Sequence, residues 1–310
     1  MMDRLAPDSG YLTLVPISSV RRSTWIVLIT GWGLFVALAA AALWQRTNDL
    51  NWIEWYFQWP SILFLVGLAG VEAWFCLSLR HCFLPGEPLY KAWTFIGLSA
   101  ICDFTGSIFS QWLSSRSPLN PLHHLASWSE KQGQEIRSFG LVIGGTLRYA
   151  LLAAGLYYVL RIYRKTGFLG RLKLTDWILV GLVVAYIIDE SKQLIYYLDH
   201  GKSPSLPEIL GWPVDPLLFV LLIETRLLAR SIEGMGKGSV SQSWKAFTIA
   251  ILLIWVGDLG IWATNYGLID WPWTALGWFV WLPAAGAFAA APALQLEAIE
   301  HAMDERGQDR

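Results

Sequence analysis

The sequence predicts an all-α fold: a polytopic helical membrane bundle of about eight transmembrane helices, arranged as two parallel four-helix repeats. Three observations carry that expectation. Hydrophobic residues make up 55% of the chain and charged residues only 15%, with a mean hydropathy of +0.43. A soluble domain carries about a quarter charged residues. Apolar runs of roughly 20 residues, the length needed to cross ~30 Å of hydrocarbon, recur from end to end. The third observation is a phrase written twice, KAWTFIGLSAICDFTG at 91–106 and KAFTIAILLIWVGDLG at 245–260, each with an aspartate deep inside it.

Taken in order, residues 1–24 form a polar tail that ends in Arg21-Arg22 and lacks the cleavage pattern of a signal peptide. Span one covers 25–44. Span two, 59–80, opens at Trp59-Pro60, where proline suits a first helical turn, and ends at the basic rim residue Arg80. Span three, 91–113, sets Ser99, Asp103, Gly106, Ser107 and Ser110 along one helical face. Span four, 140–161, begins with Gly140-x-x-x-Gly144 and Gly145, which allow close approach to a neighbour, and carries Arg148.

A basic linker, 162–174, joins the halves. Span five, 175–198, has a polar stripe of Tyr186, Asp189, Gln193, Tyr196 and His200, with Lys192 one turn from Asp189. Span six, 213–230, opens at Trp212-Pro213. Its Glu224, followed by Arg226, is expected to snorkel to the surface. Span seven, 246–266, offers Asp258, Trp262 and Asn265. Span eight, 273–297, begins in the tryptophan belt WPWTALGWFVW and contains Pro283 and Pro292. No other span shows an interruption in its middle. Residues 298–310 form a short tail. The repeats accordingly cover 25–161 and 175–297.

Topology follows from the basic residues. Of the 23 lysines and arginines, only Arg46, Arg116, Lys131, Arg137 and Lys202 fall in loops of one side, and Arg148 and Lys192 fall inside spans. All others sit on the opposite side, which should be cytoplasmic together with both termini. A bacterial-type inner membrane or a plasma membrane is the expected location.

The duplication extends beyond the repeated phrase. Trp25 and Trp177, Trp59-Pro60 and Trp212-Pro213, Glu72 and Glu224, Lys91 and Lys245, and Asp103 and Asp258 are each roughly 150 residues apart. Four spans return the chain to its starting side, so both copies point the same way. Gly140 and Gly277 align once the shorter outer loop of the second half is allowed for.

Intramembrane charges are expensive and normally face a bundle interior. At 1.5 Å per residue, Asp103 lies about 18 Å above Lys91, and Asp258 and Asp189 about 20 Å above the same rim. Arg148 descends about 12 Å from the other side. These four are expected to converge in the outer half of the membrane. An Asp103–Arg148 pair and an Asp189–Lys192 pair would neutralise part of the charge. The acids Asp103, Asp189, Glu190 and Asp258 still exceed the two cations, a surplus that suits a proton, a cation or a cationic ligand. Glu72, beside Gly70 and Ala73, is a further interior candidate. The ligand-binding or proton-coupling candidates are therefore Asp103, Asp258, Asp189, Lys192, Arg148 and Glu72.

Other chemistries lack support in the sequence. The five histidines form no metal-ligand spacing, and there is no nucleophile elbow or phosphate loop. Cys76, Cys82 and Cys102 form no framework and read as small apolar fillers. A net charge of −1 gives no basic field for nucleic acid. No metal or cofactor is expected. The expected partners are membrane lipid and a small or lipidic ligand. The leading functional reading is a binder or carrier with a polar site between two repeats. An acid–base enzyme acting on a lipid or isoprenoid, and a sensor or scaffold working through a partner protein, are the alternatives.

Overall fold

A computed structural model describes residues 59–113, 130–167, 172–201, 206–233, 239–265 and 276–308, with Leu169 and Leu268. Span one, the loop before Glu130 and the part of the tryptophan belt before Leu276 lie outside the described residues. Those described are helical apart from short turns. Helix α1 is Trp59–His81, and α2 is Pro88–Ser107, prolonged by a π-helical turn over Ile108–Leu113. Helix α3, Glu130–Leu141, passes through a second π-helical turn, Val142–Leu147, directly into α4, Arg148–Lys165. Then follow α5, Leu174–Asp199; the short α6, Leu206–Gly211; α7, Val214–Glu233; α8, Ser239–Asn265; and α9, Leu276–Gln308.

The described residues of the expected second to eighth spans lie on helices, Pro213 apart. Five stretches are long and apolar enough to cross a membrane: Phe64–His81, Pro88–Ser110, Gln132–Lys165, Val240–Gly260 and Val280–Glu300. This is a helical membrane protein. Helices α5 and α7 stand where spans five and six were expected. Their apolar runs are thinned by Asp176, Asp189, Glu190 and Lys192 in one and by Asp215, Glu224, Arg226 and Arg230 in the other.

Local sequence accounts for the helix ends. Gly86 adopts a φ of 98° and Glu87 an extended backbone, so that Pro88 can open α2 without losing a hydrogen bond. Helix α4 closes at Thr166, whose hydroxyl donates to the Tyr163 carbonyl at 2.9 Å. Gly167 follows at a φ of 77°, in the left-handed conformation that ends many helices. Pro283 and Pro292 lie inside α9 and do not end it.

The helices pack in a closed circuit. Helix α1 lies against α2, α2 against α4, α4 against α7, α7 against α8, α8 against α9, and α9 returns to α1. Helix α5 packs on α7 outside this circuit. The centre is filled rather than open. Trp93, Phe247, Phe288, Leu152, Leu221 and Leu228 are fully buried there, and the rings of Trp93 and Trp244 stack at 6.2 Å across the α2–α8 contact. The Ser243 hydroxyl donates to the Ala291 carbonyl at 2.7 Å and pins α8 to α9. Apolar side chains such as Trp177, Ile187, Ile195 and Ile249 point outward and are exposed. That pattern would be costly in water and is ordinary against acyl chains.

Candidate ligand cavity

Arg148 opens α4 and is buried among three other helices. Its Nη1 donates to Asp103 Oδ1 on α2 at 2.8 Å, and its Nη2 lies 4.0 Å from Glu72 Oε2 on α1. The guanidinium stands over the Phe288 ring of α9 at 4.6 Å and over Tyr149 at 5.5 Å. One cation therefore serves two buried carboxylates and two ring faces. A charge so far from water persists only when paired in this way. The expected Asp103–Arg148 pair is present, and Glu72 joins it.

Asp103 also stands on the wall of a cavity of about 1020 Å³. Ser107 and Ser110 continue its face of α2, Asp215 and Phe219 come from α7, and Trp255 and Asp258 from α8. Tyr149 and Tyr186 complete the aromatic part of the wall. The two expected aspartates thus reach one space. Tyr186 donates its hydroxyl to Asp215, and the Trp281 side chain hydrogen-bonds Asp258. Asp215 and Asp258 are close enough to repel each other. Among the described residues, no lysine or arginine lines the cavity.

Glycines set the cavity's floor. A Cβ on Gly106 would run into the backbone of Gly144, and one on Gly140 would come within 2.9 Å of Phe109 Cβ. The expected close approach of span four is real, and its partner is the end of α2. The first π-helical turn packs on α3 and the second on α2, and together they contribute Ser110, Val142, Gly144 and Gly145 to the wall. Such turns widen a helix locally and often mark functional sites. Gly257 plays a similar part beside Asp258: the Trp281 indole occupies the space that a side chain would need there.

Two expectations require correction. Asp189 and Lys192 do not join Asp103 and Arg148: both are exposed on α5 and absent from the cavity wall. Of the stripe's described side chains, Tyr186 lines the wall, while Asp189, Tyr196 and His200 are exposed. Glu224 does not snorkel. Its Oε2 is buried without a hydrogen bond among the described residues, while Arg226 turns toward Asp176 and Thr175. Two π-helical turns, at the end of the expected third span and the start of the fourth, have no signal in the sequence. Sequence reasoning also missed Asp215. It sits in the first turn of α7, where an acid reads as ordinary helix-end chemistry. Its neighbour Pro213 matches Pro60, yet nothing in the spacing marks Asp215 as facing Asp258.

Comparison of the chain with protein-family models, with curated proteins and with solved structures gives no match. The functional reading rests on the site itself.

Proposed function

We propose that the chain is an eight-span, multi-pass protein of two parallel four-helix repeats that binds or carries a small or lipidic cation in the cavity between them. The observation that carries the reading is the meeting of Asp103 and Asp258, at matched places in the two halves, on one cavity wall whose described lining includes no lysine or arginine. The aromatic wall of Tyr149, Tyr186, Phe219 and Trp255 suits the apolar body of such a ligand, and ring faces attract its charge. A unit charge 4 Å from a carboxylate gains about 4 kcal/mol at an effective dielectric constant of ~20.

The packing supports the duplication. Exchanging α1 with α7, α2 with α8 and α4 with α9 maps the circuit of helix contacts onto itself. Aligning Gly140 with Gly277 pairs Leu152 with Ala289, Leu156 with Ala293 and Val159 with Leu296, all buried. Thr94 and Thr248, at equal distances from Lys91 and Lys245, each donate to the carbonyl four residues back, at 2.7 and 2.9 Å. In this alignment the counterpart of Arg148 is Ala285. The first half therefore pairs its aspartate directly with Arg148, whereas Asp258 feels that cation only from a distance and keeps a place for a ligand's charge. Parallel repeats with a site at their seam are one established way to build alternating access, which supports carriage as well as binding. The distribution of basic residues supports cytoplasmic termini in a bacterial-type inner or plasma membrane.

Equilibrium dialysis of tetraphenylphosphonium and of tetraphenylborate, ions of matched size and opposite charge, tests the reading in lipid discs against empty discs. Saturable binding of the cation alone, weakened at least tenfold in Asp258→Asn, is expected. Equal binding of both ions, or no effect of Asp258→Asn on a folded protein, would overturn it.

A further inference from the structure

Helix α5 has two faces that differ in what they meet. Asp176, Leu179, Val183 and Tyr186, at steps of three and four, turn toward α7. Asp176 is completely buried and accepts from Arg230, Leu179 packs on the core, Val183 is half-buried, and Tyr186 donates to Asp215. The far side carries Ile178, Leu182, Ala185, Asp189, Lys192 and Tyr196 at alternating steps of four and three, the spacing of a seam between two helices. All six are exposed, Ile178 by 55% and Leu182 by 43%. Gly181 lies beside this seam, with nothing within 4 Å of the place a Cβ would take. With Ala185 four residues on, it leaves room for a second backbone to approach.

With α5 as the fifth span of the proposed topology, this far face is unsuited to lipid. Asp189 lies about 20 Å and Lys192 about 24 Å above Asp176, in a hydrocarbon layer of ~30 Å. A charge at that depth needs a partner, and aspartate is too short to reach the interface as lysine and arginine do. The ion pairs among the described residues join Arg148 to Asp103 and Glu72, and Arg226 and Arg230 to Asp176, and include neither Asp189 nor Lys192. Residues 25–44 carry no charged side chain, so the first span offers them no counter-charge. The face is instead complementary to itself, with one acid and one base a single turn apart. Two copies of α5 running parallel about a two-fold axis along the membrane normal bring residues of equal depth together. Lys192 stands about 4.5 Å above Asp189. Helical side chains lean toward the N-terminal end of their helix, so each lysine inclines to the level of the other copy's aspartate.

We propose that the chain forms a homodimer through this face of α5, with Lys192 of each copy paired to Asp189 of the other inside the membrane. Gly181 and Ala185 set the close approach, and the polar pair fixes the register, as a single polar position does in a coiled coil. The inference rests on α5 crossing the membrane as the fifth span. The interface is on the side of α5 turned away from Tyr186, so each copy keeps its own cavity at Asp103 and Asp258.

Oxidative cross-linking of the full chain carrying Ala185→Cys, in native membranes, tests the proposal. The wild type, with its native Cys76, Cys82 and Cys102, is the control. A parallel sample of opened membrane fragments is treated with a charged maleimide that does not enter hydrocarbon. A disulfide-linked dimer is expected with Ala185→Cys and not with the wild type, since thiols at the closest part of the seam come within disulfide reach. Adding Lys192→Asp sets acid against acid and should cut the cross-linked fraction about tenfold, whereas Asp189→Lys/Lys192→Asp exchanges the charges and should restore most of it. Asp189→Asn is a milder change, because the amide oxygen still accepts from the lysine. No cross-link, with the introduced thiol shielded from the maleimide, would overturn the dimer and leave the fifth span in place. Reaction of that thiol with the maleimide would overturn the span and the dimer together. A cross-link indifferent to Lys192→Asp, or one that the exchanged charges do not restore, would overturn the pairing.

Discussion

Replacing Arg148 by Met isolates the interaction that ties four helices together. The substitution keeps a long apolar side chain against Phe288 and Tyr149 but removes the 2.8 Å bond to Asp103 and the 4.0 Å approach to Glu72. Two carboxylates are then left buried with no cation, and breaking a buried ion pair from one side costs about 3–5 kcal/mol. The removed guanidinium was itself desolvated, which places the net loss in that range rather than at the sum of both attractions. The assay is reversible unfolding in mild detergent for Arg148→Met, Asp103→Asn and the double variant. Because the acid is harmful only without its partner, Asp103→Asn should restore about 2–3 kcal/mol of the loss caused by Arg148→Met. A loss below about 1 kcal/mol, or strictly additive effects, would refute this account of how the charges are held.

Four other substitutions probe separate contacts. Gly106→Ala places a methyl group against the Gly144 backbone and should destabilise the protein by about 1–3 kcal/mol in the same unfolding assay, with Gly67→Ala, where nothing lies within 4 Å, as the neutral control. Ser243→Ala removes the hydrogen bond to the Ala291 carbonyl and should cost about 1 kcal/mol. Glu224→Gln removes a carboxylate whose Oε2 is buried without a partner, so the melting temperature should rise; a fall would point to a partner beyond the described residues. Asp189→Asn, at an exposed position on α5, should change stability by less than about 0.5 kcal/mol and leave tetraphenylphosphonium binding intact, as dialysis would check.

The fold was legible in the sequence because membrane helices are set by length and apolarity, and both are local properties. Helices lie where the second to eighth spans were expected, and five stretches among the described residues are long and apolar enough to cross a membrane. Asp103, Arg148 and Glu72 were legible as interior because a charge in hydrocarbon has nowhere else to go. The rotation of a helix about its axis is a different matter. The stripe on α5 was periodic, yet its Asp189 and Lys192 are exposed, since only packing decides which side of such a helix meets its neighbour. Asp215 failed for the opposite reason. Its place in a first turn has an ordinary explanation, and its approach to Asp258 depends on how α7 and α8 meet. The π-helical turns escaped because no proline announces them: they arise where Gly106, Gly140 and Gly144 let two backbones touch.

Mass spectrometry of small molecules that co-purify with the protein in native lipid discs, comparing wild type with Asp103→Asn/Asp258→Asn, tests the central claim most directly. The account predicts a specific positively charged metabolite or lipid on the wild type, absent from the double variant while its helical content and melting transition persist. The same small molecules on both folded proteins would contradict the claim that the cavity between the two halves is a ligand site.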